Sequence, residues 1–230
     1  MQIAEIELKF PIDDLAQLQS RLPGIGLLLD TPRTFELNTL YDTPGRTLRE
    51  SKQLLRIRQY GDIWTLTHKR QPNTAPINNS AEFGPAAKYK VRIETETHVD
   101  DGPALGAIFE RLGYAPVFRY EKFRTEWSQI TTTIEGPLFA GVPESLDFPA
   151  PNHRCHLVLD ETPIGDYAEL EGPPAWIDKT LARLGVDPAS CLTESYGRLF
   201  LAWKTRTGSA ADNLTFDEIS SVQILQPSFR

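Results

Sequence analysis

Near the start of the chain, Glu5-Ile-Glu7-Leu-Lys9 sets two carboxylates and an ammonium at alternate positions. Successive side chains of a strand point to opposite faces, so Glu5, Glu7 and Lys9 share one face and Ile6, Leu8 and Phe10 the other. The same spacing returns along the chain. Arg56 and Arg58 align in LLRIR, and Thr65, Thr67 and Lys69 in TLTHKR. Lys88, Lys90, Arg92, Glu94 and Glu96 alternate in KYKVRIETE, and Lys122, Arg124 and Glu126 align with Tyr120. Asp160 ends LVLD, and Tyr167, Glu169 and Glu171 align in YAELE. Bases cluster on some strands and paired carboxylates sit on the first and last, whereas an ordinary solvent face mixes the signs. Guanidinium and ammonium groups hold phosphate oxygens, and hard divalent cations take carboxylate oxygens. Together they describe a place for a triphosphate-like polyanion with Mg²⁺ or Mn²⁺.

Such a place requires every charged face to line one interior. Burying an unpaired ion costs on the order of several kcal/mol, which is tolerable in a wet lumen that holds a polyanion and cations. A closed antiparallel barrel supplies that lumen, because one face of every strand points inward. The sequence carries eight strand candidates, at 2–10, 34–42, 53–60, 62–70, 87–98, 118–128, 154–161 and 166–172. Helices are expected over PIDDLAQLQSRL after Pro11, over 101–113 ending at Gly113, over 173–185 ending at Gly185, and over 191–204. The fold class is therefore α+β, an eight-stranded barrel with helices packed outside. Two Pro-rich stretches, 71–87 and 135–152, read as long loops that could serve as lids. The tunnel domain is expected over residues 1–205, followed by a tail, 206–230, with a short helix near DNLTFDEISSVQIL.

Composition narrows the function classes. The 230 residues carry a formal net charge of -7, with 40% hydrophobic and 24% charged residues, so the chain is globular. A net negative charge argues against non-specific binding to nucleic acid or an anionic membrane. Cys155 and Cys191 have neither metal nor redox spacing, and histidines 68, 98, 153 and 156 form no zinc pattern. No Ser/His/Asp ordering or Gly-rich phosphate loop is visible, and GIGLLLDTPRTFE lacks the third glycine of a dinucleotide fingerprint. Trp64 is read as a packed tryptophan before it is read as a stacking platform. With no signal pattern and no apolar run of membrane-spanning length, a cytoplasmic protein is expected, as monomer or homodimer.

The ordered motifs carry a resemblance. Glu5-x-Glu7-x-Lys9 resembles the ExExK signature of the CYTH superfamily, the triphosphate tunnel metalloenzymes. LYDTP at 40–44, LLRIR at 54–58, WTLTHKR at 64–70 and Tyr120-Glu-Lys-Phe-Arg124 are similar to its successive strands. Asp160 followed by Ile164-Gly-Asp-Tyr167-Ala-Glu169-Leu-Glu171, and Ser195-Tyr196 in the late helix, resemble its closing segments. Arg70 stands where the family usually has a glycine. The resemblance implies a tunnel with metal ligands Glu5, Glu7, Asp160, Glu169 and Glu171. It implies triphosphate contacts from Lys9, Arg56, Arg58, Lys69, Lys90, Arg92, Lys122 and Arg124, with catalytic roles for Lys9, Lys69 and Glu7. The activity it implies is a metal-dependent triphosphatase acting on tripolyphosphate or an organic triphosphate such as thiamine triphosphate. A class IV adenylyl cyclase and a non-catalytic polyphosphate-binding module are the alternatives.

Overall fold

The computed structural model describes residues 2–72, 88–131 and 153–225. The loops expected at 71–87 and 135–152 lie outside the described residues, apart from Gln71 and Pro72. Eight strands form: β1 (Gln2–Ile12), β2 (Leu28–Asp42), β3 (Leu54–Tyr60), β4 (Ile63–Arg70), β5 (Lys90–Val99), β6 (Ala115–Thr131), β7 (His153–Thr162) and β8 (Gly165–Glu171). They close into an antiparallel barrel in the order β1-β5-β4-β3-β2-β6-β7-β8. Closure depends on β1, which pairs its first half, Gln2 to Glu7, with β5 and its second half, Glu7 to Ile12, with β8.

The charged face of each strand points into the barrel, so the apolar core lies outside its wall. Leu8 and Phe10 of β1 join Leu157, Leu159, Ala168 and Leu170 of β7 and β8 in one buried cluster. Two helices cover it: α1 (Leu15–Arg21), through Leu18, and α4 (Pro174–Leu184), through Ile177, Leu181 and Leu184, with Leu22 just beyond α1. Each large aliphatic residue buried there contributes roughly 1.5–3 kcal/mol, which is what turns the aliphatic side of the alternation outward. A short α2 (Thr47–Glu50) follows β2, and α3 (Gly102–Arg111) packs beside β3 and β4. Trp64 of β4 lies against Gly102, where an added Cβ would meet its ring at 2.1 Å. Trp64 is therefore a packing residue.

A second cluster lies where the chain beyond α4 packs on β6. Tyr196 and Phe200 of α5 (Tyr196–Thr207) meet Tyr120 and Phe118 of β6, with Leu214 and Ile219 of the following segment, which includes α6 (Phe216–Leu225). Leu214 bonds to the backbone of Arg119 and Glu121, docking the segment after α5 on β6.

Several boundaries differ from the sequence expectation. The first helix begins at Leu15, capped by Asp14, because Pro11 and Ile12 continue β1 in register with β8. β2 starts at Leu28, not 34, and absorbs Pro32 through register shifts between Leu29 and Thr34. The helix expected at 191–204 begins at Tyr196, because Leu192 is tied to Lys9 as an isolated bridge. Among the described residues no helix is long and apolar enough to cross a membrane.

Candidate functional site in the barrel lumen

The lumen holds a cavity of about 320 Å³, lined mostly by charged side chains, with Leu40, Leu54, Val158, Tyr120 and Tyr196 among the rest. Glu5, Glu7 and Lys9 enter it from β1, Arg56 and Arg58 from β3, Lys69 from β4, Lys90 from β5, Lys122 and Arg124 from β6, and Glu169 and Glu171 from β8. Eleven sequence-predicted residues thus meet in one cavity, drawn from six strands that span the chain from β1 to β8. Arg92 shares the inward register of β5 but does not border the cavity, and its guanidinium donates to the Val91 carbonyl at 3.2 Å. Lys88, grouped with the alternating charges, precedes β5 and pairs instead with Asp178 of α4 at 2.7 Å.

The strand registers arrange the charges. Glu7 lies opposite both Lys90 and Glu171, and Lys9 lies opposite Glu169. Lys90 donates to Glu7 at 2.5 Å, Lys69 to Glu5 at 3.1 Å, and Lys9 to Glu169. Lys69 also pairs with Glu94, and burial works against its ammonium, but Glu5 and Glu94 outweigh that and raise its pKa. Burial raises the Glu5 carboxyl, Lys69 opposes this, and Glu94 adds to the rise.

Glu171 behaves differently from Glu169. Burial, followed by the charge of Glu5, holds the Glu171 carboxyl well above the ordinary carboxylate range, with Glu169 and Glu7 adding to the effect. Glu169 is also buried, but Lys9 and Arg124 carry it well below that range. The lumen therefore has an acidic pole, at Glu5, Glu7 and Glu171, with more carboxylate than its cations neutralise.

Asp160 is fully buried behind the cations. Both its oxygens accept from Arg124 at 2.6 Å, one also from Lys122 at 2.9 Å and from the Tyr196 hydroxyl at 2.6 Å. It thus anchors Lys122 and Arg124, and through Arg124 it is linked to Glu169.

Further residues of this kind did not stand out in the sequence. Glu36 of β2 is fully buried opposite Lys122, 3.4 Å from its ammonium, and accepts from Asn38 at 2.8 Å. Burial raises the Glu36 carboxyl, but Lys122, Arg124, Arg58 and Arg56 overcome this and hold it at about 2. Glu96, by contrast, was already visible in the alternation of KYKVRIETE; it lies 3.6 Å from Arg56 and 3.4 Å from Arg58, and accepts from the Thr67 hydroxyl at 2.6 Å. Glu36 and Asn38 follow the same period-two rule as the predicted residues, and that signal could have found them.

The residues present suit a divalent cation in their chemistry. Glu5, Glu7 and Glu171 offer hard oxygen donors, and a cation would allow Glu171 to ionise beside like charges. Among the described residues no three Asp, Glu, His or Cys side chains already converge at metal spacing, since lysines occupy the carboxylates. The fit is one of donor type and charge.

Comparison with known proteins places this architecture. A structure described as an adenylate cyclase candidate from Vibrio parahaemolyticus is 17% identical, with a TM-score of 0.57 over 86% of this chain and 98% of that one. The PH1819 protein of Pyrococcus horikoshii is 20% identical, with a TM-score of 0.57 over 86% and 99%. An adenylyl cyclase candidate from Hippeastrum, described as having a dominant triphosphatase activity, is 17% identical, with a TM-score of 0.51 over 88% and 96%. At these identities the likeness is one of fold. No curated protein matches the chain. The CYTH domain model matches residues 4–139, more than half of the chain and five of its eight strands in full, so the chain belongs to the CYTH domain family.

Proposed function

We propose that this protein is a metal-dependent triphosphatase, hydrolysing inorganic tripolyphosphate or an organic triphosphate such as thiamine triphosphate. The observation that carries this reading is the segregation of charge inside one lumen, with a cradle of cations beside an acidic pole at Glu5, Glu7 and Glu171. Membership of the CYTH family and the triphosphatase activity described for the Hippeastrum relative support it.

In this reading Lys9, Arg56, Arg58, Lys69, Lys90, Lys122 and Arg124 hold the phosphate oxygens. Arginines give fixed two-point contacts and lysines adjustable single charges. The carboxylates that now pair with these cations yield when the polyanion enters. Glu5, Glu7 and Glu171, with Glu169 beside them, would hold Mg²⁺ or Mn²⁺. The metal supplies charge neutralisation and lowers the pKa of a water. Water adds to the terminal phosphorus and gives up a proton to solvent, the bond from that phosphorus to the bridging oxygen breaks, and the leaving phosphate chain departs with the bond electrons. Lys9 and Lys69 face the charge that develops on the transferred group, and Glu7 orients the acidic pole around the attacking water. Asp160 and Glu36 brace Lys122 and Arg124 from behind.

Orthophosphate release from tripolyphosphate that appears with Mg²⁺ or Mn²⁺ and stops with a chelator tests this reading. Absence of release from tripolyphosphate and thiamine triphosphate alike would overturn it.

A further inference from the structure

We infer that Tyr196 is a positioning residue of the triphosphate cradle, holding the Lys9 and Lys122 ammonium groups for phosphate while its hydroxyl braces Asp160. The inference rests on the triphosphate reading of the lumen and adds to it a residue from beyond the matched segment, 4–139.

The backbone delivers Tyr196 to this place. Leu192 and Lys9 exchange two backbone hydrogen bonds, of 2.7 and 3.1 Å, beyond the stretch where β5 covers β1. That bridge ties the start of the α5 approach to the strand that carries Lys9. Four residues later the Tyr196 ring faces the lumen, 6% exposed, between the two lysines. The Lys9 nitrogen lies 4.0 Å from the ring centroid and the Lys122 nitrogen 4.9 Å. The hydroxyl donates at 2.6 Å to Asp160 Oδ2, the oxygen that also accepts from Lys122 and Arg124.

This arrangement has a physical consequence that packing alone would not supply. A lysine has a long flexible stem whose ordering costs entropy when a ligand binds. Glu169 orders Lys9 but cancels its charge, and must give way to phosphate. A ring face attracts an ammonium without neutralising it, so it orders the lysine both before and after phosphate arrives. Tyr196 thus preorganises two cations at no cost to their charge, and its effect belongs in substrate affinity.

The test compares the full chain with Tyr196→Phe, which keeps the ring, and Tyr196→Leu, which removes it, using tripolyphosphate and Mg²⁺. Tyr196→Leu is expected to raise KM about tenfold with a smaller change in kcat, and Tyr196→Phe to stay within about threefold of wild type. A residue that only packs would lower kcat through the folded fraction and leave KM alone. A folded Tyr196→Leu with KM within about twofold of wild type overturns the inference while the triphosphatase reading stands. If Tyr196→Leu does not fold, tripolyphosphate added without metal decides. Wild type should show a near-ultraviolet tyrosine difference band that Tyr196→Phe lacks, and a wild type that binds without the band overturns the inference. A wild type that neither binds nor cleaves tripolyphosphate, thiamine triphosphate or ATP overturns both.

Discussion

Glu7 of β1 lies in register with Lys90 of β5 on one side and with Glu171 of β8 on the other. It is the residue at which β1 changes partner and the barrel closes. On the Lys90 side it is paired at 2.5 Å; on the Glu171 side it faces a carboxyl whose pKa burial and the neighbouring acids raise well above the ordinary range. Glu7 thus stands between an ammonium and a carboxyl that resists ionising, so added cationic charge would act on both of its neighbours.

Glu7→Gln is therefore expected to abolish metal-dependent turnover, with a loss of about 100-fold or more in kcat/KM, while the protein stays folded. Steady-state kinetics across a Mg²⁺ titration, with a thermal melt alongside, measures both. Full activity in the folded variant would remove Glu7 from the proposed site.

Asp160 predicts a stability effect. It is the shared partner of Lys122, Arg124 and Tyr196, and removing it leaves two buried cations short of a counter-charge. Asp160→Ala should cost about 3–5 kcal/mol in urea unfolding, against under about 1 kcal/mol for a surface residue.

Glu36 predicts a pH dependence. Its folded pKa, about 2, lies below the ordinary 4.5, so the folded state binds its proton less readily than the unfolded chain. Its contribution is fully present above pH 4.5 and is lost as pH falls from there to about 2. Glu36→Gln should flatten this acid limb in urea midpoints measured across that range. An unchanged slope would contradict the assignment.

How much of this was legible in the sequence follows from what a one-dimensional pattern carries. Period two in Glu5-Ile-Glu7-Leu-Lys9 places charges on one face, and repetition on six strands makes that face an interior, so the barrel and its lining could be read. Glu36 alternates with Asn38 in FELNTL, but a single charge stands out less than the paired charges of the other strands, so the signal was present and was passed over. Asp160 was read with the metal-side acids because its convergence with Lys122, Arg124 and Tyr196 depends on barrel closure. Arg92 matches the inward alternation, but its guanidinium turns to a backbone carbonyl and not to the cavity. Helix starts were read too early at 11 and 191, since Pro11 and Leu192 engage the sheet through the backbone.

Gly102 gives a prediction away from the lumen. Gly102→Ala would drive a methyl into the Trp64 ring, costing about 1–3 kcal/mol in stability. Because Trp64 does not line the cavity, kcat and KM of the folded variant should match wild type. A raised KM there would give Trp64 a role in binding.

The most direct test of the account is phosphorus NMR of the products after wild-type protein meets Mg²⁺ or Mn²⁺ with tripolyphosphate, thiamine triphosphate or ATP. Orthophosphate is expected from tripolyphosphate or thiamine triphosphate, and none of it in the presence of a chelator. Cyclic AMP with pyrophosphate from ATP, and no orthophosphate from the other two, would contradict this and make the protein a cyclase.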